Sequence, residues 1–301
     1  MRSPYRAKRN TGLLAHAVPV LRLWLHTGYL LVLIAAVWPA HAAQPQQVTL
    51  SSLDGTRITA WVFQTEVKSR ATVVALHGCG GLFASVGSRK GLLSARHQAM
   101  ADSLVGQGYA VVFPDSLTPR GVAQLCTQKL RERTIGQRER RRDALATLNW
   151  VAAQPWADAS KLALLGWSHG GSAVLEATDS TQPEVLAQPI KVGVAIAFYP
   201  GCASALKSGY QTSTRLQLLL GALDDWTPPT PCVELGRTVG AQVQVYAESY
   251  HGFDNPVGVV TLWREITSGV NPAQGVHVGP NLAARVQANA RVLQVLAEAF
   301  D

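Results

Sequence analysis

With 301 residues, 47% of them hydrophobic and 15% charged, the chain carries enough apolar side chains to bury a large core, which excludes a disordered or fibrous protein. The formal charge of +8 raises the question of a polyanionic partner. Yet Arg2, Arg6, Lys8, Arg9 and Arg22 all fall within residues 1–42, where no acidic residue stands, leaving 22 basic against 19 acidic side chains beyond it.

The N-terminal segment joins those basic residues to the apolar run YLLVLIAAVW (29–38) and then to PAHAAQ, with Ala40 and Ala42 at the small-residue positions of an export cleavage site. A signal peptide over 1–42, cleaved after Ala42, is the expectation; the alternative is an uncleaved anchor, for which the apolar run is short. Either way a single domain over 43–301 folds outside the cytoplasm, periplasmic or secreted. Membrane contact is expected only through the export segment, and no nucleic-acid partner is expected. Cys79, Cys126, Cys202 and Cys232 then mature where disulfides persist. None stands in a CxxC pair, which speaks against a zinc ribbon, and of three possible connectivities Cys202–Cys232 with Cys79–Cys126 is preferred.

From residue 47 the chain alternates strand-like and helix-like runs. QVTLSSL (47–53) and RITAWVFQT (57–65) flank the turn dipeptide DG and predict a hairpin. ATVVAL (71–76) follows, and leads into HGCGG, whose glycines let backbone N–H groups approach a ligand. A phosphate cradle is the competing reading, but the segment lacks both the Lys-Ser/Thr ending and the GxGxxG spacing of nucleotide loops. A helix over 94–106 and the strand YAVVFP (109–114) come next. RERTIGQRERRRD (131–143) opens a helix over 136–153, and its arginines are read as a solvated helix face rather than a nucleic-acid patch.

KLALLG (161–166) is a continuous aliphatic strand, and a helix is expected over 171–178. Between them GWSHG (166–170) is a GxSxG sequence at a strand-to-helix turn, the context that gives this motif its meaning. Ser168 is thereby the candidate nucleophile, and the amides of His169 and Cys79 are the candidate oxyanion donors. Strands at 192–200 and 216–221 precede LLLGALDDWTPP, where Asp224 is the preferred acid, Asp225 its alternative, and a loop or helix cap the bland reading. Helix 230–239 and strand 241–248 follow, and ESYHGFDNP then places His251 just beyond the last strand as the candidate base. A helix over 282–299 closes the chain. Trp167 and Trp226 flank the nucleophile and the acid, either lining an acyl pocket or packing in the core.

Runs apolar throughout suit a sheet covered on both faces, and strands alternating with helices specify an α/β architecture with a mostly parallel sheet. The segments HGCGGL, PDSLTPRG, GWSHGG, GALDDWTP and YHGFDNP, in that order, resemble the dienelactone hydrolase family of α/β-hydrolases over about residues 47–300. That resemblance implies an α/β-hydrolase fold and a hydrolase of small carboxylic esters or lactones, with no cofactor and no metal, using Ser168, Asp224 and His251 as nucleophile, acid and base. The family's namesakes use a cysteine nucleophile, where this chain has Ser168. A prolyl-oligopeptidase-like peptidase and a non-catalytic binding protein on the same fold are the alternatives.

Overall fold

The computed structural model describes residues 45–301, Ala273 excepted; the export segment expected over 1–42 lies outside the described residues. Strands β1 (Gln46–Ser51) and β2 (Arg57–Phe63) pair antiparallel across a turn in which Gly55 takes φ +83°, a conformation without penalty only for glycine. The sheet then adds β3 (Thr72–Leu76), β4 (Ala110–Asp115), β5 (Leu162–Trp167), β6 (Val194–Phe198), β7 (Arg215–Gly221) and β8 (Gln242–Tyr246), in the order β1-β2-β4-β3-β5-β6-β7-β8. From β4 to β8 every pairing is parallel. The chain steps from β3 to β4 on one side and then returns to place β5 on the other, so a crevice opens at the carboxyl ends of β3 and β5.

Side chains alternate between two cores, as the period of a strand requires. Val73 and Ala75 of β3, with Ala163, Leu165 and Trp167 of β5, pack beneath α1 (Ala95–Gly106) and α7 (Leu282–Phe300). Val74, Leu76, Leu162 and Leu164 face the opposite way, under α2 (Gln137–Ala152), α3 (His169–Thr178) and α6 (Thr230–Val239). This is the α/β-hydrolase arrangement expected from the continuous aliphatic runs. Short helices α4 (Pro183–Leu186) and α5 (Ala203–Ser208), and a hairpin of β9 (Thr261–Trp263) with β10 (Val276–Val278), complete the α-helices and strands of the described chain. Among the described residues no helix is long and apolar enough to cross a membrane.

Two expectations are corrected. Helix α3 begins at His169, not at 171, because the chain turns into the helix at Ser168 itself. The arginines of α2 are only in part a solvated face: Arg138 is exposed, but Arg140 is fully buried and Arg141 nearly so, the latter on Glu176 (2.7 Å) and Glu184 (3.0 Å). An arginine is admitted to a helix's inner face when acceptors wait there, which a hydrophobic pattern cannot reveal. Both expected disulfides are present, Cys79–Cys126 and Cys202–Cys232.

Candidate active site

Between β5 and α3 the backbone reverses so sharply that Ser168 sits at φ 53°, ψ −117°, a region an L-residue occupies only when its surroundings force it. Two glycines make the turn possible. A Cβ at Gly166 would lie 2.3 Å from the Gly170 carbonyl oxygen, and one at Gly170 only 2.0 Å from that of Leu76. The turn is fixed by the Ser168 N–H donating to Phe198 O at 2.9 Å, and by Trp167, which is fully buried. The core reading of Trp167 is therefore the correct one, whereas Trp226 lines the pocket over Ser168.

His251 lies in the loop after β8, its backbone tied to β10 by a bridge to Val278 and by Gly279 N–H donating to its carbonyl at 3.0 Å. Its Nε2 is 2.9 Å from Ser168 Oγ, and its Nδ1 is 2.8 Å from Asp224 Oδ2. A carboxylate only accepts, so Nδ1 carries the hydrogen and Nε2 offers its lone pair to the serine hydroxyl. Asp224 is held in turn by the N–H groups of Trp226 (2.9 Å) and Thr227 (2.8 Å) on Oδ1 and by the Thr227 hydroxyl (3.0 Å) on Oδ2. All three residues thus meet in one array, with His251 and Asp224 almost wholly buried.

Asp225 faces elsewhere. Its carboxylate accepts from the backbone N–H (2.8 Å) and ring Nδ1 (2.6 Å) of His277, and its carbonyl accepts from Val270 N–H at 2.9 Å. It clasps the β9–β10 hairpin to the acid loop, and Ser268, Gly269 and Val270 of that hairpin form one wall of the pocket. The pocket encloses about 470 Å³, and Ser168, His169 and Cys79 line it. Among the described residues, no protein acceptor is recorded for the backbone N–H of Cys79 or of His169. Half-buried Arg133 also lines it; burial lowers its pKa, and among the described residues it has no carboxylate partner.

Several supporting residues were not legible in the sequence. Tyr199, at φ 36°, packs its ring 4.5 Å from that of His251. Its hydroxyl donates to Asp254, which also accepts from Trp167 Nε1 at 2.8 Å and pairs with half-buried Arg96 at 3.3 Å. Nothing in FYP or HGFD taken alone announces this linkage, because its members come from α1, β5, the residue after β6 and the His251 loop.

A model described as the dienelactone hydrolase family matches residues 67–300. No curated protein matches the chain. Among solved structures, a dienelactone hydrolase-like promiscuous phosphotriesterase from metagenomic libraries is 21% identical, with 86% of this chain and 100% of that one covered and a TM-score of 0.60. Esterase 2 of Thermogutta terrifontis, phosphorylated by paraoxon, is 13% identical over 87% and 96%, with a TM-score of 0.57. A puromycin-hydrolysing peptidase of Mycobacterium tuberculosis is 16% identical, covering 86% of this chain but 39% of that one, with a TM-score of 0.58. At such identities these likenesses concern the fold. The family match is of another kind: it runs from the loop before β3 to the end of α7 and takes in the elbow, the acid loop and the histidine loop together, so the chain belongs to the dienelactone hydrolase family.

Proposed function

We propose that the protein is an exported serine hydrolase that cleaves small carboxylic esters or lactones through an acyl-enzyme. The observation that carries this reading is the continuous relay from Asp224 through His251 to Ser168 Oγ, at 2.8 and 2.9 Å, opening on a 470 Å³ pocket. His251 removes the hydroxyl proton as Ser168 attacks the carbonyl carbon. The amides of Cys79 and His169 receive the oxyanion, and His251 returns the proton to the departing alcohol. Water, deprotonated by the same imidazole, then frees the acid. Arg133 supplies a positive charge at the pocket wall that favours substrates carrying an anionic group. The two disulfides fit maturation in an oxidising compartment, and the sequence of residues 1–42 fits export.

A peptidase is the second reading, favoured by the fold shared with a puromycin-hydrolysing peptidase; the chain spans only part of that protein, and hydrolysis of aminoacyl-arylamides would support it. For the esterase, Ser168→Ala should abolish turnover of p-nitrophenyl esters, with a loss on the order of a millionfold in kcat, and should abolish labelling by a fluorophosphonate. Turnover retained in that purified variant would overturn the assignment. The N-terminal residue of the mature protein, read by mass spectrometry, tests the export half.

A further inference from the structure

The relay leaves one buried, titratable cluster unused. His77 and Arg140 are both fully buried, directly below the loop that carries the Cys79 amide. Ser116 N–H, which can only donate, approaches His77 Nε2 at 3.2 Å, so that nitrogen presents its lone pair. The hydrogen of the ring therefore sits on Nδ1, where the Gly78 carbonyl at 2.8 Å accepts it; Arg140 Nη1, which can only donate, stands farther off at 3.4 Å. Burial, reinforced by the Arg140 charge, holds the His77 pKa well below the ordinary value and keeps the ring neutral.

The Gly78 carbonyl and the Cys79 N–H are the two ends of one peptide plane, so fixing the first aims the second. Other contacts also hold this loop. Gly78 O accepts from Gly81 N–H at 3.2 Å, and Cys79 O accepts from Leu125 N–H at 2.8 Å. Cys79 Sγ is bonded to Cys126. The residue before, His77, has its own carbonyl held by Arg140 Nη2 at 2.7 Å. Among the described residues Arg140 has no carboxylate within 4 Å and no partner for its Nε; a guanidinium is seldom placed so deep for the stability it brings.

We propose that His77, clamped by Arg140, is a positioning residue for oxyanion binding: its Nδ1–H holds the Gly78 carbonyl and so turns the Cys79 amide toward Ser168. This rests on the hydrolase reading above. His77 touches no substrate; it acts through a peptide plane, and its effect falls on the transition state, where the oxyanion exists, rather than on substrate binding.

The decisive experiment compares His77→Gln, which loses a donor at the Nδ1 position, with His77→Asn, whose amide nitrogen falls near it. With p-nitrophenyl acetate, His77→Gln should lower kcat on the order of 10- to 100-fold, below the loss of an oxyanion donor itself, with KM nearly unchanged. His77→Asn should recover most of that loss. In parallel, ¹⁵N shifts of the wild-type protein should report the Nδ1–H tautomer of His77 without titration between pH 8 and pH 5. That measurement decides alone if the variants do not fold: an Nε2–H tautomer overturns the proposal. Unchanged kcat in His77→Gln, or equal losses in both variants, overturns it as well while wild-type turnover and Ser168 labelling leave the hydrolase reading standing. Wild-type protein inert toward all esters overturns both.

Discussion

Asp224 and Asp225 are chain neighbours that serve different histidines. Asp224 holds the ring of His251 in the tautomer that can accept the serine proton, while Asp225 holds His277 and through it the hairpin. Asp224→Asn, which presents a donor where an acceptor is needed, should lower kcat by about 10⁴-fold with the fold intact. Asp225→Asn leaves the relay untouched and should act on KM and substrate range, because the pocket wall of Ser268 to Val270 loses its clasp. Steady-state kinetics on the two variants, side by side, check this; a larger kcat loss in Asp225→Asn would reassign the acid. Spacing from Gly221 left the two aspartates close to equivalent. What separates them is a histidine 52 positions away, a distance no local pattern spans. Ser168 was legible for the opposite reason: its chemistry and its strain are written in five consecutive residues.

At the scale of elements, the strands and long helices fall close to where their apolar runs end. The hairpin of β9 and β10 has no such signature. Its strands are three residues each, and they are stabilised by Asp225, by Trp226 Nε1 donating to Ser268 Oγ at 3.2 Å, and by a small core around Cys79, Cys126, Ile266 and Val276. Cys202 and Cys232 join the start of α5 to α6, and the acid loop lies on the chain between them. The bond closes a 30-residue separation, worth roughly 3 to 4 kcal/mol on the chain-entropy estimate. Cys202→Ser should therefore lower the melting temperature by roughly 10 °C, and it should reduce kcat through a looser Asp224. Calorimetry and kinetics at one temperature measure both; an unchanged melting temperature would mean that the bond is not formed in solution.

For the whole molecule, acid stability follows from imidazoles that fold neutral. Burial lowers the His97 pKa from 6.5 to about 3, even though Nδ1 is hydrogen-bonded to Leu82 O at 2.9 Å, and His77 shifts the same way. Below pH 6.5 the unfolded chain takes up protons that the folded chain refuses, so stability falls with each step toward pH 3. The slope should approach about 1.4 kcal/mol per pH unit for each such histidine. Denaturant melts at pH 7.5, 6 and 4.5 should show a progressively lower midpoint, and a flat series would mean that these rings are charged or solvated in the native state. None of this was visible in the sequence, which gives a histidine's position but not its depth.

The bond between Cys79 and Cys126 has a consequence for the choice of nucleophile. Cys79 lines the same pocket as Ser168, and a Cβ placed on Gly78 would sit 3.6 Å from that of the serine. A disulfide whose Cys79 lines that pocket is an electrophile for a thiolate. Were residue 168 a cysteine activated by His251, its sulfur would have two targets, the ester and the bridge, and attack on the second would trap the enzyme as a mixed disulfide while releasing a free thiol. Ser168→Cys should accordingly accumulate a Cys79-linked or Cys126-linked product on non-reducing peptide maps, and persistence of the native bridge in that variant would argue against the exchange. Oxygen cannot take part in such a trade, so a serine at position 168 avoids it.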